Sequence, residues 1–248
     1  MEQKYQFPTE EVTLPSKGLL YPEGSPLRKG VIEMKYMTAK EEDILTNQNY
    51  IANGTVIDKL IKSLIVTPID FNDLLVGDKN ALLVAARILG YGKNYSFDYN
   101  GETIEVDLTE IEDKPLDESL INKGKNEFSY MLPTLKKEIT FKFLTHKDEK
   151  AIDAELKGLK KINKNASADV STRLKHIITS VDGDYNKPSI RKFVDNQLLA
   201  IDSRALRKHI AEIQPDTNLV FKHEVKNGDF IDVNIPINLN FFWPDATV

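Results

Sequence analysis

Cysteine is absent from this sequence of 248 residues, and histidine occurs only four times. The absence of cysteine excludes disulfide bonds, thiolate nucleophiles and zinc sites built on cysteine. A metal site would have to depend on carboxylates. Disulfide-stapled and cysteine-dependent classes of protein are therefore excluded.

Long apolar runs are missing as well. No stretch approaches the roughly 18 apolar residues of a membrane-spanning helix. The N-terminal MEQKYQFPTEE has neither the basic segment nor the apolar segment of a secretory signal. We therefore expect no membrane association, and residence in a cytoplasm at least during synthesis. The net charge of -5 argues against nucleic acid as a partner, because nucleic-acid-binding domains usually carry a basic excess.

Catalytic signatures are also lacking: the sequence contains no P-loop, GxGxxG, GxSxG or HExxH. His146 with Asp148 and Glu149 could be considered as a metal cluster. These acids stand in a first helical turn, however, where capping and the helix dipole favour carboxylates. The sequence thus predicts no catalytic residue, no cofactor and no metal site.

What is present begins with a strand and a capped helix. Ile32, Met34 and Tyr36 alternate with polar residues, which is typical of a strand with one buried face. Thr38 and Glu41 then have the spacing of a capping box, which satisfies two backbone donors at a helix start. The region 32–64 therefore predicts a strand, a sharp corner and amphipathic helices.

Residues 1–30 contain four prolines and three glycines and have no sustained periodicity. They are predicted to form an extended arm. Their apolar residues are too numerous for a solvated linker, so the arm should lie against either its own globular body or a partner.

Further signals follow along the chain. Asp78 and Asp202 are each expected to begin a helix, and Leu174, Ile177, Ile178 and Val181 form a helical stripe. Asn100-Gly101 and Asn227-Gly228 lie between alternating runs and predict β-hairpins.

The same signals occur twice in the same order. IEMKYMTAKEEDI at 32–44 corresponds to ITFKFLTHKDEKAI at 139–152. LLVGDKNAL at 74–82 corresponds to LLAIDSRAL at 198–206, and NGETIEVDL at 100–108 to NGDFIDVNI at 227–235. Leu-Pro pairs at 14–15 and 132–133 precede the two strands. The collinear order favours an internal duplication, and the alternative is independent use of common local signals.

The predicted fold class is accordingly α+β, with two tandem units that each contain a strand, several helices and an Asn-Gly hairpin. The predicted boundaries are an arm at 1–30, a first unit at 31–112, a linker at 113–127 and a second unit with an aromatic tail at 128–248.

Two segments are candidate partner surfaces. The aromatic residues near the C-terminus must pack into a core or against a partner. Lys157, Lys160, Lys161 and Lys164 could contact nucleic acid or an acidic partner, although a solvated helix face explains them better in an acidic chain.

Several stretches together resemble the T4-like phage base plate protein family, over nearly the whole chain. They are LPSKGLLYP at 14–22, EMKYMTAKEEDILTN at 33–47, VIDKLIKSLI at 56–65, DSRALRKHI at 202–210 and FFWP at 241–244. The resemblance implies a baseplate hub subunit or hub assembly protein of a contractile tail. Some family members carry cysteine pairs in the hairpin regions; this sequence has none, so a zinc requirement is not carried over.

We therefore expect a non-enzymatic phage tail protein that acts by docking to other baseplate or tail subunits, with self-association as a further option. It should act in the host cytoplasm during assembly and then in the tail baseplate. A transient tail assembly chaperone absent from the virion, or a nucleic-acid-binding accessory protein, is the alternative. The expected partner-binding residues are Leu14, Pro15, Leu19, Leu20, Tyr21, Phe241, Phe242, Trp243 and Pro244.

Overall fold

The computed structural model describes residues 8–162, 168–224 and 228–242. It has an α+β fold in which helices pack around small antiparallel sheets, as the sequence predicts. The first pair of strands is β1 (Thr9–Thr13) and β2 (Val31–Lys35). Strand β1 lies inside the predicted arm and was not anticipated as a strand. The intervening chain consists of turns and a 3-10 helix at Pro26–Lys29.

Four helices and a hairpin complete the first unit. They are α1 (Ala39–Leu45), α2 (Gln48–Ala52), α3 (Val56–Leu64), α4 (Val76–Tyr91), β3 (Asn94–Tyr99) and β4 (Glu102–Asp107). The hairpin prediction is confirmed. Asn100 and Gly101 have φ values of 50° and 83°, and a two-residue turn that matches the strand twist requires positive φ at both positions.

The segment at 108–127 contains two short 3-10 helices, Leu108–Glu110 and Glu118–Leu120. It is hydrogen-bonded to other parts of the fold. The N–H of Lys114 donates to the Asp216 carbonyl at 2.8 Å, and the N–H of Gly124 donates to the Leu19 carbonyl at 2.8 Å.

The predicted second unit has a similar order of elements, with strand β7 and helix α7 in addition and a larger sheet. Its members are β5 (Phe128–Met131), β6 (Glu138–Phe141), α5 (His146–Ile162), α6 (Asp169–Ile177), β7 (Ile178–Val181), α7 (Lys187–Asn196), α8 (Ala200–Ile213), β8 (Val220–Glu224) and β9 (Phe230–Asn234). Strands β5, β6 and β7 form one sheet, and β8 pairs with β9. Asn227 of the second predicted turn lies outside the described residues.

Two local predictions are wrong. The helical stripe was expected to continue through Ile178 and Val181, but these residues form β7, because pairing with β6 overrides the helical periodicity. Two helices were expected to begin at Asp78 and Asp202, but Leu75 and Leu199 are the N-cap residues. The Asp202 carboxylate instead accepts hydrogen bonds from a distant loop.

Corresponding positions of the two units have closely similar backbones. Leu75 before α4 has φ -62° and ψ 146°, and Leu199 before α8 has φ -68° and ψ 145°. Ile65 after α3 and Ile178 after α6 also agree, at -70°, 124° and -72°, 125°. These matches are what a duplication would produce, and the duplication itself stays a hypothesis.

The capped corners correspond too. Glu41 accepts from the N–H of Thr38 at 3.0 Å. Asp148 accepts from the N–H of Thr145 at 3.0 Å. A lysine pairs with each acid: Lys35, the last residue of β2, at 2.8 Å, and Lys142, which directly follows β6, at 2.7 Å. The capping box predicted at Thr38 is confirmed.

Candidate interaction surfaces

A buried carboxylate attaches the N-terminal region to the first unit. Asp78, fully buried in the first turn of α4, accepts hydrogen bonds from the Ser16 N–H at 2.9 Å and the Ser16 hydroxyl at 2.6 Å. It also accepts one from the Tyr21 hydroxyl at 2.6 Å, which in turn accepts from the Leu75 N–H at 2.9 Å. The start of α4 and the chain at 16–21 are therefore held by one hydrogen-bond network.

The electrostatics of this network are dominated by burial. Burial raises the pKa of Asp78 from 3.8 to about 6, although the hydrogen bonds from Ser16 and Tyr21 favour the charged form and limit the rise. Burial and the nearby Asp78 carboxylate likewise raise the pKa of the Tyr21 phenol, so that it stays a donor.

Asp202 has the corresponding position in the second unit and is also fully buried. Its two oxygens accept from the N–H groups of Thr134 and Leu135 at 2.8 and 3.1 Å. In both units a helix-start aspartate thus holds the chain after a Leu-Pro pair. Sequence reasoning missed this role, although the matched Leu-Leu-x-x-Asp and Leu-Pro patterns were visible.

The predicted partner-binding residues of the arm lie against the body of the chain. Leu14, Pro15, Leu20 and Tyr21 are buried, and Leu19 is half-buried. Their burial corresponds to the alternative in which the arm packs on its own globular body. Their binding to a partner stays a prediction, and it would require them to be uncovered.

The four candidate residues near the C-terminus, Phe241 to Pro244, divide into two pairs. Phe241 and Phe242 are fully buried, and the Phe241 ring contacts Tyr95 of the first unit edge-on, with centroids 4.8 Å apart. Trp243 and Pro244 lie outside the described residues. Phe241 thus connects the end of the second unit to the hairpin of the first.

The two units meet where the corner before α5 pairs with the segment before α4. Leu75 and Thr145 form an antiparallel β-bridge. The Val76 N–H donates to the Leu144 carbonyl at 3.0 Å, and the His146 N–H donates to the Leu74 carbonyl at 2.8 Å. We call this pairing the junction.

Next to the junction, the chain after α8 approaches the start of α4 so closely that α4 requires a glycine there. A Cβ on Gly77 would lie 2.0 Å from the carbonyl oxygen of Pro215, which is far inside contact distance. Only a residue without a side chain allows the chain after α8 to approach the start of α4 this closely.

The side chain of His146 occupies a socket in the first unit. Its Nε2 lies 3.1 Å from Asp58 Oδ2, a close contact that is not aligned as a hydrogen bond, and its Nδ1 lies 3.4 Å from Lys79 Nζ. Phe71 packs edge-on against the ring at 4.6 Å. Burial opposes the ionisation of Asp58, but His146 and the Lys79 charge outweigh it and lower the pKa of Asp58 to about 2.

His146 and Asp148, considered together in the sequence, have different roles. Asp148 caps Thr145 and pairs with Lys142, whereas His146 faces the first unit. Within residues 8–162, 168–224 and 228–242 no group of three or more histidines or acids is arranged to hold a metal. Nor is any helix in these ranges long and apolar enough to cross a membrane.

The second unit has an open groove at the position that corresponds to the socket. Its volume is about 340 Å³, and its lining includes Val170, Leu174, Val194, Leu198 and Ala200. Beside it the N-cap residue Leu199 is 42% exposed and Ile201 is 63% exposed. We call the segment Leu198–Ile201 the open edge. Sequence reasoning did not single it out.

The basic cluster lies on the last turns of α5. Lys157, Lys160 and Lys161 are exposed, as a solvated helix face predicts, and Lys164 lies outside the described residues. A second groove, of about 390 Å³, is lined by cations that include Lys142, Lys175 and Arg191. Each of these three is paired with an acid, at 2.7 Å in every case. Their charges are therefore compensated within the fold.

Comparison with protein-family profiles, with curated protein sequences and with solved structures found no match. The resemblance to the T4-like base plate family therefore stays a prediction based on the stretches quoted above.

Proposed function

We propose that this chain is a non-enzymatic tail protein of a contractile-tailed phage. In this proposal it is a structural component or an assembly factor of the baseplate hub and acts by protein–protein docking. The observation that carries the docking role is the open edge, where Leu199 and Ile201 are 42% and 63% exposed. The assignment to a baseplate hub depends on the sequence resemblance.

The open edge is more exposed than the corresponding segment of the first unit. Leu75, which corresponds to Leu199, is only 3% exposed because the corner before α5 covers it. Leu198 and Ala200 of the same segment line a groove with apolar walls, and apolar patches left at a surface are typical of interaction sites. Covering the exposed parts of Leu199 and Ile201 would contribute roughly 2 kcal/mol to binding. These two side chains would therefore supply part of the affinity for a protein partner, and the surrounding groove the rest.

Mass spectrometry of purified tails and of tail-assembly intermediates tests the proposal. A structural component should be present in both, and an assembly chaperone only in the intermediates. Absence from both would contradict the proposed function. On this proposal the chain is active in the host cytoplasm and, as a structural component, remains in the baseplate.

The alternative from a different class is an accessory protein that binds nucleic acid. The observation in its favour is the exposed row of Lys157, Lys160 and Lys161 on α5. Binding through phosphates would weaken steeply with salt. Failure of the chain to bind DNA or RNA at low ionic strength would dismiss this alternative.

A further inference from the structure

We propose that the open edge binds a second copy of this chain, through the corner before α1, so that copies join head to tail. The inference rests on the proposed docking function and names the partner. Its basis is the junction, where the segment before α4 and the corner before α5 already pair through their backbones within one chain.

The junction consists of an edge and a corner. Its edge is Leu74–Val76, immediately before and at the start of α4, and its corner is Leu144–His146, immediately before and at the start of α5. Two backbone hydrogen bonds join them. Each element has a counterpart in the other unit: Leu198–Ala200 of the open edge correspond to Leu74–Val76, and Met37–Ala39 corresponds to Leu144–His146. We call Met37–Ala39 the open corner.

Both counterparts are available at the surface. Ala39 and Ala200 are exposed first residues of their helices, and neither makes a β-bridge within the described ranges. The N–H of a first helical residue has no partner inside its own helix. In the proposed contact the Ala200 N–H of one copy donates to the Met37 carbonyl of the next, and the Ala39 N–H of that copy donates to the Leu198 carbonyl.

The side chains at the two sites differ in a consistent way. In the socket, charged Asp58 and Lys79 face the imidazole of His146. The corresponding residues in the groove are Ser171 and Ser203, which both line it. The residue that corresponds to His146 is Ala39. At these three positions the polar cluster is replaced by small residues, and the acid in the groove lining, Asp169, has Arg173 as an ion-pair partner at 3.6 Å.

Apart from Lys40 beside the open corner, the exposed charges that follow the two surfaces are opposite in sign. Arg204 and Arg207 are exposed on α8 just after the open edge. Glu42 and Asp43 are exposed on α1 just after the open corner. Such complementarity favours contact between unlike surfaces of two copies over contact between two identical surfaces.

One feature must differ from the junction. Gly77 corresponds to Ile201, so the close backbone approach to Gly77 cannot be repeated at the open edge. The exposed Ile201 side chain would instead pack against the second copy. Because the contact joins unlike surfaces, it leaves a free edge and a free corner at the two ends and leads to rings or open chains.

The test measures the mass of the full chain in solution by sedimentation across a range of concentrations. We expect the wild type to associate as concentration rises. Ala39→Pro and Ala200→Pro each remove one N–H at a first helical position, where proline is tolerated, so each should fold normally and associate about tenfold more weakly. Ala39→Ser and Ala200→Ser keep the N–H and should associate like the wild type.

Charged substitutions, and a mixture of two variants, test whether the contact joins the open edge of one copy to the open corner of another. Ile201→Asp should abolish association, whereas Phe230→Asp, at a side chain 66% exposed on β9, should not. Ile201→Asp retains a free corner, and an Ala39→Pro, Asp43→Lys variant, which places a cation opposite Arg204 and Arg207, retains a free edge. Mixing these two variants should give one-to-one dimers that do not grow.

Three results would overturn the inference: a monomer at every concentration, association that survives both the proline and the Ile201→Asp changes, or a mixture that forms no dimer. A monomeric chain that is nevertheless found in tails by mass spectrometry would overturn only this inference. A self-associating chain absent from tails and intermediates would overturn only the proposed function.

Discussion

Replacing Tyr21 with phenylalanine removes one hydroxyl and tests the network at the start of α4. That hydroxyl donates to Asp78 at 2.6 Å and accepts from the Leu75 N–H at 2.9 Å. Tyr21 is 4% exposed, so a phenylalanine ring keeps the packing and loses only these two bonds. The change therefore separates hydrogen bonding from the burial of the ring.

The expected cost follows from the two bonds. A hydrogen bond to a charged group contributes about 1.5–3 kcal/mol, and a buried donor left unsatisfied costs about 1–3 kcal/mol. The cost at Asp78 is reduced because this carboxylate retains both hydrogen bonds from Ser16. The total is therefore smaller than the sum of the two costs. We expect Tyr21→Phe to lower the free energy of unfolding by about 3 kcal/mol.

Urea denaturation of the wild type, Tyr21→Phe and Tyr185→Phe measures this cost. Tyr185 is 59% exposed, so its change should stay within about 0.5 kcal/mol. For Tyr21→Phe the midpoint should fall with an unchanged slope. A loss below about 1 kcal/mol would refute our account of the network. A stable Tyr21→Phe protein that fails to assemble into tails would instead support the partner role predicted from the sequence.

Three further predictions concern Asp78, the first capping box and the junction. Because the pKa of Asp78 is raised from 3.8 to about 6, its stabilising protonation is complete below the lower value and is lost as pH rises through the higher one. Wild type should therefore gain up to about 3 kcal/mol over Asp78→Asn between about pH 7.5 and about pH 4, measured by urea denaturation at each pH. Thr38→Ala should cost about 0.5–2 kcal/mol by the same assay and leave tail assembly intact. Gly77→Ala should cost about 1–3 kcal/mol or more in thermal unfolding, because its Cβ meets the Pro215 carbonyl, whereas Gly158→Ala, which has open space in α5, should stabilise by about 0.5–1 kcal/mol.

Each of these predictions can fail clearly. A pH-independent difference between wild type and Asp78→Asn would show that the carboxyl titrates normally in the folded protein. Loss of tail assembly by a fully folded Thr38→Ala protein would mean that this cap is part of a binding site. A neutral Gly77→Ala would contradict the close approach of the Pro215 carbonyl to the start of α4.

Features set by a few neighbouring residues could be predicted from the sequence. The capping box of Thr38 and Glu41 depends on residues three apart, and the turn at Asn100-Gly101 depends on the positive φ that these two residues tolerate. The α+β class follows from such local signals in series.

Features that depend on residues distant in the sequence could not be predicted from it. Ile178 has helical spacing from Leu174, yet it forms a strand because β6 lies beside it. Strand β1, TEEVT, has little apolar character of its own and depends on pairing with β2. Asp202 serves a loop near Thr134 rather than its own helix, and nothing next to it in the sequence indicates this.

The open edge could not be recognised from the sequence because it closely resembles a segment that is covered. Leu74-Leu75 and Leu198-Leu199 are identical in sequence, and both lead into a helix. Only the fold shows that the corner at Thr145 covers the first pair and that Leu199 stays exposed. Which of two matching edges is covered is a property of the packing of the units.

We propose that this chain works in tail assembly by docking through the open edge at Leu199 and Ile201. The most direct test of this proposal is to supply Ile201→Asp in place of the wild-type chain during infection by a contractile-tailed phage that depends on it, and to count complete tails by electron microscopy. We expect tails to be lost with Ile201→Asp and formed normally with Phe230→Asp, when each chain is folded and present at wild-type level. Normal tail numbers with Ile201→Asp would contradict it.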